Sequence, residues 1–219
     1  MDRAWSQRLG HLLAALCAMM GTGPVPAVAS QTEFDRLLAA AKDDPAHADF
    51  PRLRRAFAQS PHYNPYGEPF DPGPVRQEVA NGERVAGLLA LDRVLEGHWM
   101  DLDAQRFAAA ACRRLGETDR AERHAAFHEG LLRAILEAGD GRSFETAWPV
   151  LSVAEEYHIL GLLRLEVEAQ ALTERDGHTF DVLTVKDHKT GDSFKVYFNI
   201  DAPHRWLTQR LEQRGEKTP

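Results

Sequence analysis

The hydrophobic period of this chain changes once, between Asp140 and Tyr157, and that change limits the folds open to it. Before it, apolar residues recur every third or fourth position, as on a helix face. After it, they alternate, as on a half-buried strand. A run of helices followed by a run of strands predicts an α+β architecture. Residues 30–213 are expected to form one such domain, with a helical part over 30–138 and a β-rich part over 139–213. The polar residues 214–219 are expected to form a frayed tail.

Residues 1–29 read as a secretory signal peptide rather than as part of the fold. Arg3 and Arg8 form a positive start, His11 to Met20 an apolar run, and Ala27-Val28-Ala29 a small-x-small cleavage site before Ser30. The apolar run is too short to span a bilayer, so no stable membrane insertion is expected after cleavage. The expected location is periplasmic or secreted. The mature chain keeps one cysteine, Cys112, so no internal disulfide is expected. Its Ala-rich helical setting predicts a small buried apolar side chain. The formal net charge is −7, with acidic and basic residues interleaved. With no Lys/Arg cluster, no nucleic-acid partner is expected.

Helices are predicted where the 3.6 period runs. One presents Phe34, Leu37, Leu38 and Ala41. A second, capped by Asp49, presents Leu53 and Phe57. Glu83 to Glu96 presents Val85, Leu88, Leu89, Leu91 and Leu95. Leu102 to Leu115 presents Ala104, Phe107, Ala108, Ala111 and Leu115. Arg120 to Leu136 presents Ala121, Ala125, His128, Leu132 and Ile135. Ala86 and Ala121, each following a turn glycine, lie 35 positions apart, close to the tetratricopeptide period of about 34. Tetratricopeptide-like hairpins are therefore expected here, with the β-rich part covering their open end. Between the second helix and Glu83, Ser60 to Pro74 holds five prolines and two glycines, which rules out a helix or central strand. Its aromatics Tyr63, Tyr66 and Phe70 argue for an ordered loop, packed on the helices or forming an aromatic binding lip.

In the second half, Ser152-Val153-Ala154-Glu155 fits a capping box. A short helix over 153–163 would carry Val153, Tyr157, Leu160 and Leu163 on one stripe; a strand over part of it is the competing reading. Val167, Ala169, Ala171 and Thr173 then alternate with polar residues. Asp176-Gly177 is a hairpin signal. Two further alternating runs, around Phe180 to Val185 and Phe194 to Ile200, complete an antiparallel meander of three or four strands. Asp201 is expected to cap a final helix with Trp206, Leu207 and Leu211 on its apolar face.

Seven short motifs occur in order: Asn64-Pro65-Tyr66-Gly67, Gly139-Asp140-Gly141-x-Ser143, Thr146-Ala147, Glu155-Glu156-Tyr157, Gln170-Ala171-Leu172, Phe180-Asp181-Val182-Leu183 and Tyr197-Phe198-Asn199-Ile200. This ordered set resembles the domain of unknown function 4919 family, exported bacterial proteins without an assigned activity. The resemblance covers about residues 33–212. It implies export and a helical front with a β-containing back, and it implies no catalytic residue. Phe180 stands where that pattern leads one to expect tyrosine.

The site residues to examine follow from chemistry. Asp140, Glu155, Glu156, His128 and Tyr157 are the candidate catalytic groups, and a glutamate buried beside Tyr157 would have its pKa raised and become an acid or base. Tyr63, Asn64, Tyr66 and Gln170 are the candidate binding residues. His124 and His128 share a helix face, but no third ligand has motif spacing, so no metal is expected. The sequence holds no phosphate-cradling loop or dinucleotide fingerprint, and no cofactor is expected. The leading expectation is a non-catalytic exported protein that binds an envelope protein or a small ligand. The alternative is a small extracytoplasmic hydrolase whose carboxylates and histidine meet where helices and sheet join.

Overall fold

The computed structural model describes residues 32–215; the expected signal peptide and residues 216–219 lie outside them. The architecture is α+β. Among the described residues, eight α-helices run in chain order: α1 (Glu33–Asp43), α2 (Phe50–Ala58), α3 (Gly73–Ala80), α4 (Arg84–Leu95), α5 (Leu102–Arg114), α6 (Thr118–Leu136), α7 (Val153–Leu163) and α8 (Asp201–Gly215). Four strands, β1 (Trp148–Pro149), β2 (Leu165–Arg175), β3 (His178–Asp187) and β4 (Ser193–Asn199), make one sheet in the order β1-β4-β3-β2. Among the described residues no helix is long and apolar enough to cross a membrane.

The sheet is mixed rather than wholly antiparallel. β2, β3 and β4 form the antiparallel meander, with Asp176 and Gly177 both at positive φ in the β2–β3 turn, as a two-residue hairpin of that kind requires. β1 then pairs parallel with β4, Trp148 opposite Phe198. Its Pro149 is tolerated because the strand lies at the sheet edge. The strand was hidden in sequence by its two-residue length.

Two apolar clusters support the molecule. The larger joins α1, α2, α6 and α7 to the sheet through Phe34, Phe50, Phe127, Ile159, Leu183 and Phe198. The smaller lies among α3, α4 and α5 and includes Val75, Leu91, Leu95 and Cys112. α3 is a correction to the loop expected over 60–74. The irregular segment ends at Pro72, and Gly73-Pro74 opens a helix, where proline's missing N–H costs nothing.

Three helices bury only part of the face expected of them. In α4, Gly87, Leu91 and Leu95 are buried while Val85 and Leu89 are exposed. A Cβ on Gly87 would stand 3.2 Å from Leu115, so the missing side chain lets the chain end of α5 approach and selects that face. In α8, Leu207 and Leu211 are exposed, and the helix is held near its start instead. The Asp201 carboxylate does not cap this helix: it accepts from Thr179 N–H and Asn199 Nδ2 and meets His178 Nδ1. The third is α7. Ser152 caps it through a 3.4 Å contact from Glu155 N–H, but the buried face is Glu155, Glu156, His158, Ile159 and Leu160. Val153, Tyr157 and Leu163 are exposed.

Candidate functional site

The buried carboxylates of α7 have opposite fates. Glu155 is fully engaged. Arg54 of α2 forks onto both of its oxygens, and its Oε2 also accepts from Leu151 N–H at 2.7 Å. Arg54 Nη2 donates onward to the Pro149 carbonyl at 3.0 Å. The capping-box glutamate therefore reaches the residue before the cap and welds α2, the β1–α7 link and α7 together. The Tyr63 hydroxyl donates to the Leu151 carbonyl at 2.8 Å, and the Tyr63 carbonyl accepts from Trp206 Nε1 of α8 at 2.8 Å. Tyr63 is thus a structural anchor of the aromatic loop.

Glu156 is 1% exposed, and neither of its carboxylate oxygens meets a hydrogen-bond donor of the protein. Burial pushes its pKa up to about 8, with the charges of Asp181 and Glu155 adding to the effect. Asp181 is 4% exposed, and its Oδ1 is likewise without a donor. It faces the helices because it shares a strand face with Leu183 and Val185, both in the larger core cluster.

Gln170 reaches this pair because β2 is irregular. Val167 pairs with Val185, but Ala169 pairs with Thr184, so Glu168 is an extra residue. The bulge reverses the alternation and turns Gln170, paired with Leu183, onto the Asp181 face. Its Nε2 donates to Asp181 Oδ2 at 2.7 Å. Tyr66 completes the group. Burial first, then the negative charges of Asp181 and Glu156, raise the pKa of its hydroxyl. Its ring packs on Trp206 at 5.8 Å and is otherwise half exposed. Gln170 and Tyr66 are the exposed members, so the two carboxylates stand one side chain beneath the surface.

His128 belongs to a second cluster. Its Nε2 lies 2.9 Å from His158 Nε2, and His158 Nδ1 lies 3.0 Å from Asp103 Oδ1. Burial, then His158, holds the His128 pKa down at about 4. The hydrogen bond with His158 lowers that of Asp103. His124 faces elsewhere, bonded to Gln105 and stacked on Trp99. Among the described residues no three His, Cys, Asp or Glu side chains are placed to hold a metal ion.

Asp140 and Tyr157 join neither cluster. Asp140 is exposed, and its Oδ1 accepts from Thr146 Oγ1 at 2.6 Å and from Arg142 N–H at 3.0 Å. The hydrogen bond from Thr146 is the main cause of its lowered pKa. The surrounding turn is tightly built. A Cβ on Gly139 would fall 2.1 Å from the Thr146 carbonyl oxygen, and Gly141 accepts from Tyr197 N–H of β4. Tyr157 is 52% exposed on the outer face of α7. Asn64 lines a separate cleft of about 660 Å³ with Glu68, His98, Asp101, Asp103 and Glu155 among its walls.

Arg54, His158 and Asp181 were not among the residues singled out from sequence. Arg54 continues the Phe50, Leu53, Phe57 stripe at helical spacing, and a cation there signals a buried partner. Asp181 sits in phase with Leu183 and Val185. Both signals were readable.

The fold is thus a helical layer on a mixed sheet, with an unsatisfied acidic pair at their join. A family model described as a domain of unknown function (DUF4919) matches residues 46–208, and the chain belongs to that family. The matched stretch contains Tyr66, Glu156, Gln170 and Asp181. No curated protein and no solved structure matches the chain.

Proposed function

We propose that this is an exported ligand-binding protein whose site is the Glu156–Asp181 pair with Gln170 and Tyr66, and whose ligand carries a positive charge. One observation carries the reading: two almost fully buried carboxylates, one within reach of the other's charge, leave three oxygens without a donor. A buried carboxylate without a partner is costly, and a cationic ligand supplies what the protein does not. Four of the seven ordered motifs each contribute one residue to this cluster, from the aromatic loop, α7, β2 and β3. Export is supported by the positive start, apolar run and cleavage site of residues 1–29. Fractionation of cells producing the full chain tests it: a shortened protein in the envelope or medium is expected, and full-length protein in the cytosol refutes it.

Calorimetric titration of the mature chain with a panel of small organic cations, neutral isosteres and anions tests the binding. Cations alone should bind, and Glu156→Gln should weaken the binding roughly tenfold or more. Equal binding of neutral isosteres would refute the reading. The hydrolase alternative has no comparable support. It needs Asp140, His128, Tyr157 and Glu155 or Glu156 in one pocket, whereas Asp140, His128 and Glu155 each hold separate partners and Tyr157 is exposed on the outer face of α7. The proposal also includes a tetratricopeptide-like pairing of α3–α4 with α5–α6, supported by the close approach of Gly87 to Leu115 and the burial of Ala121. A Gly87→Val variant as stable as the parent would count against that pairing.

A further inference from the structure

Resting on the reading of this cluster as a cation site, we propose that the ligand presents a primary ammonium group, seated among Glu156 Oε1, Glu156 Oε2 and Asp181 Oδ1. The three acceptors come from two elements, α7 and β3, and all three lack a donor. A primary ammonium carries three N–H donors on one compact tetrahedral atom, so each donor finds an acceptor. A guanidinium offers five donors in a planar fork, suited to the two coplanar oxygens of a single carboxylate. This protein already uses that arrangement one residue away, where Arg54 forks onto Glu155. A quaternary ammonium has no N–H at all and depends on aromatic faces. Tyr66 of this cluster packs on Trp206, whose ring is already engaged because Arg210 lies 5.0 Å over it. Gln170 donates to Asp181 Oδ2, and Oδ1 stays among the three oxygens without a donor.

Entry of the ammonium has a definite proton balance. With burial and Asp181 holding the Glu156 pKa near 8, the free site carries a proton on Glu156 at neutral pH. The ammonium arrives with its charge and all three hydrogens. The Glu156 proton departs to buffer, and the carboxylate so formed accepts from the ligand. The groups facing Glu156 are Asp181 on β3, Glu155 on its own helix (held by Arg54) and the Tyr66 hydroxyl.

The test is calorimetry of the mature chain with n-butylammonium, butyltrimethylammonium and butylguanidinium chlorides, in two buffers of different ionisation enthalpy. n-Butylammonium should bind best and release about 0.9 proton per ligand at about pH 7, falling towards zero near pH 9. Glu156→Gln and Asp181→Asn should each weaken it roughly tenfold or more, and the former should abolish proton release. Glu68→Gln, on the separate cleft, should leave binding unchanged. If either other head group binds as tightly, the ammonium assignment is overturned while the cation site stands. If no cation binds, both fail. Undiminished binding to both Glu156→Gln and Asp181→Asn would place the ligand elsewhere and overturn the assignment as well.

Discussion

Replacing Glu156 by glutamine should stabilise the protein, and the gain should grow with pH. A carboxyl whose folded pKa lies above its unfolded value binds more protons in the folded state. Its stabilising contribution is therefore complete at acid pH and is lost as pH rises from about 4.5 through 8. With those two limits the loss is roughly 3 kcal/mol at pH 7 and approaches roughly 5 kcal/mol near pH 9. Glutamine keeps the shape, carries no charge and can donate to the open Asp181 Oδ1. The variant and parent should agree within about 1 kcal/mol at pH 5. At pH 7 the variant should be more stable by about 3 kcal/mol, a rise in Tm of roughly 6–12 °C for a domain of this size. Urea unfolding followed by circular dichroism at several pH values reads the difference directly. All other titrations common to the two proteins cancel in it. A difference that does not change with pH, or a variant less stable at pH 9, would refute the account of Glu156.

Other substitutions probe the frame around the site. Arg54→Met should cost about 3–5 kcal/mol, because it strands Glu155 in the interior, and adding Glu155→Gln should recover much of that loss; chemical denaturation checks both. Gly130→Ala should destabilise α6 although alanine is the better helix former by about 1 kcal/mol, since its Cβ would fall 2.0 Å from the Phe50 ring. The net loss should be about 1–3 kcal/mol, and trimming Phe50 to leucine in the same chain should lessen it. Burial lowers the pKa of both His124 and His128 to about 4, so the unfolded chain takes up protons first on acidification. Stability should fall as pH drops from about 6.5 to 4, and His128→Gln should flatten that limb in a series of thermal melts.

The division into helices and strands was legible because the hydrophobic period itself changes, and the Ser152 cap and the Asp176-Gly177 turn were legible as local chemistry. What escaped depends on context that single periods do not carry. α3 begins in a Pro-rich stretch whose first helical residues resemble the loop before it. The bulge at Glu168 leaves no trace in the sequence, since Val167, Ala169 and Ala171 alternate with polar residues straight through it. Only the pairing with β3 shows that Gln170, not Ala169, faces the helices. The site was half legible: Glu156, Tyr66 and Gln170 were singled out from sequence, but not as one group, and Asp181 was passed over.

α7 shows why pattern alone misplaced its face. Its apolar stripe, Val153, Tyr157, Leu160 and Leu163, predicts burial on hydrophobic grounds. The structure keeps only Leu160 of that stripe inside and buries the glutamates beside it, and these two neighbours then separate two roles. Glu155 explains itself structurally, since Arg54 and Leu151 N–H satisfy it and it locks three segments in place. Glu156 is at least as deeply buried but satisfies nothing and is satisfied by nothing. Stability alone would favour glutamine or leucine there, as the pH argument for Glu156→Gln makes quantitative. A fold that keeps an ionisable group at such a cost, and bulges a strand to bring Gln170 against its acidic neighbour, departs from local consistency at one place. That departure, rather than the crowd of motif residues between Asp140 and Tyr157, locates the site.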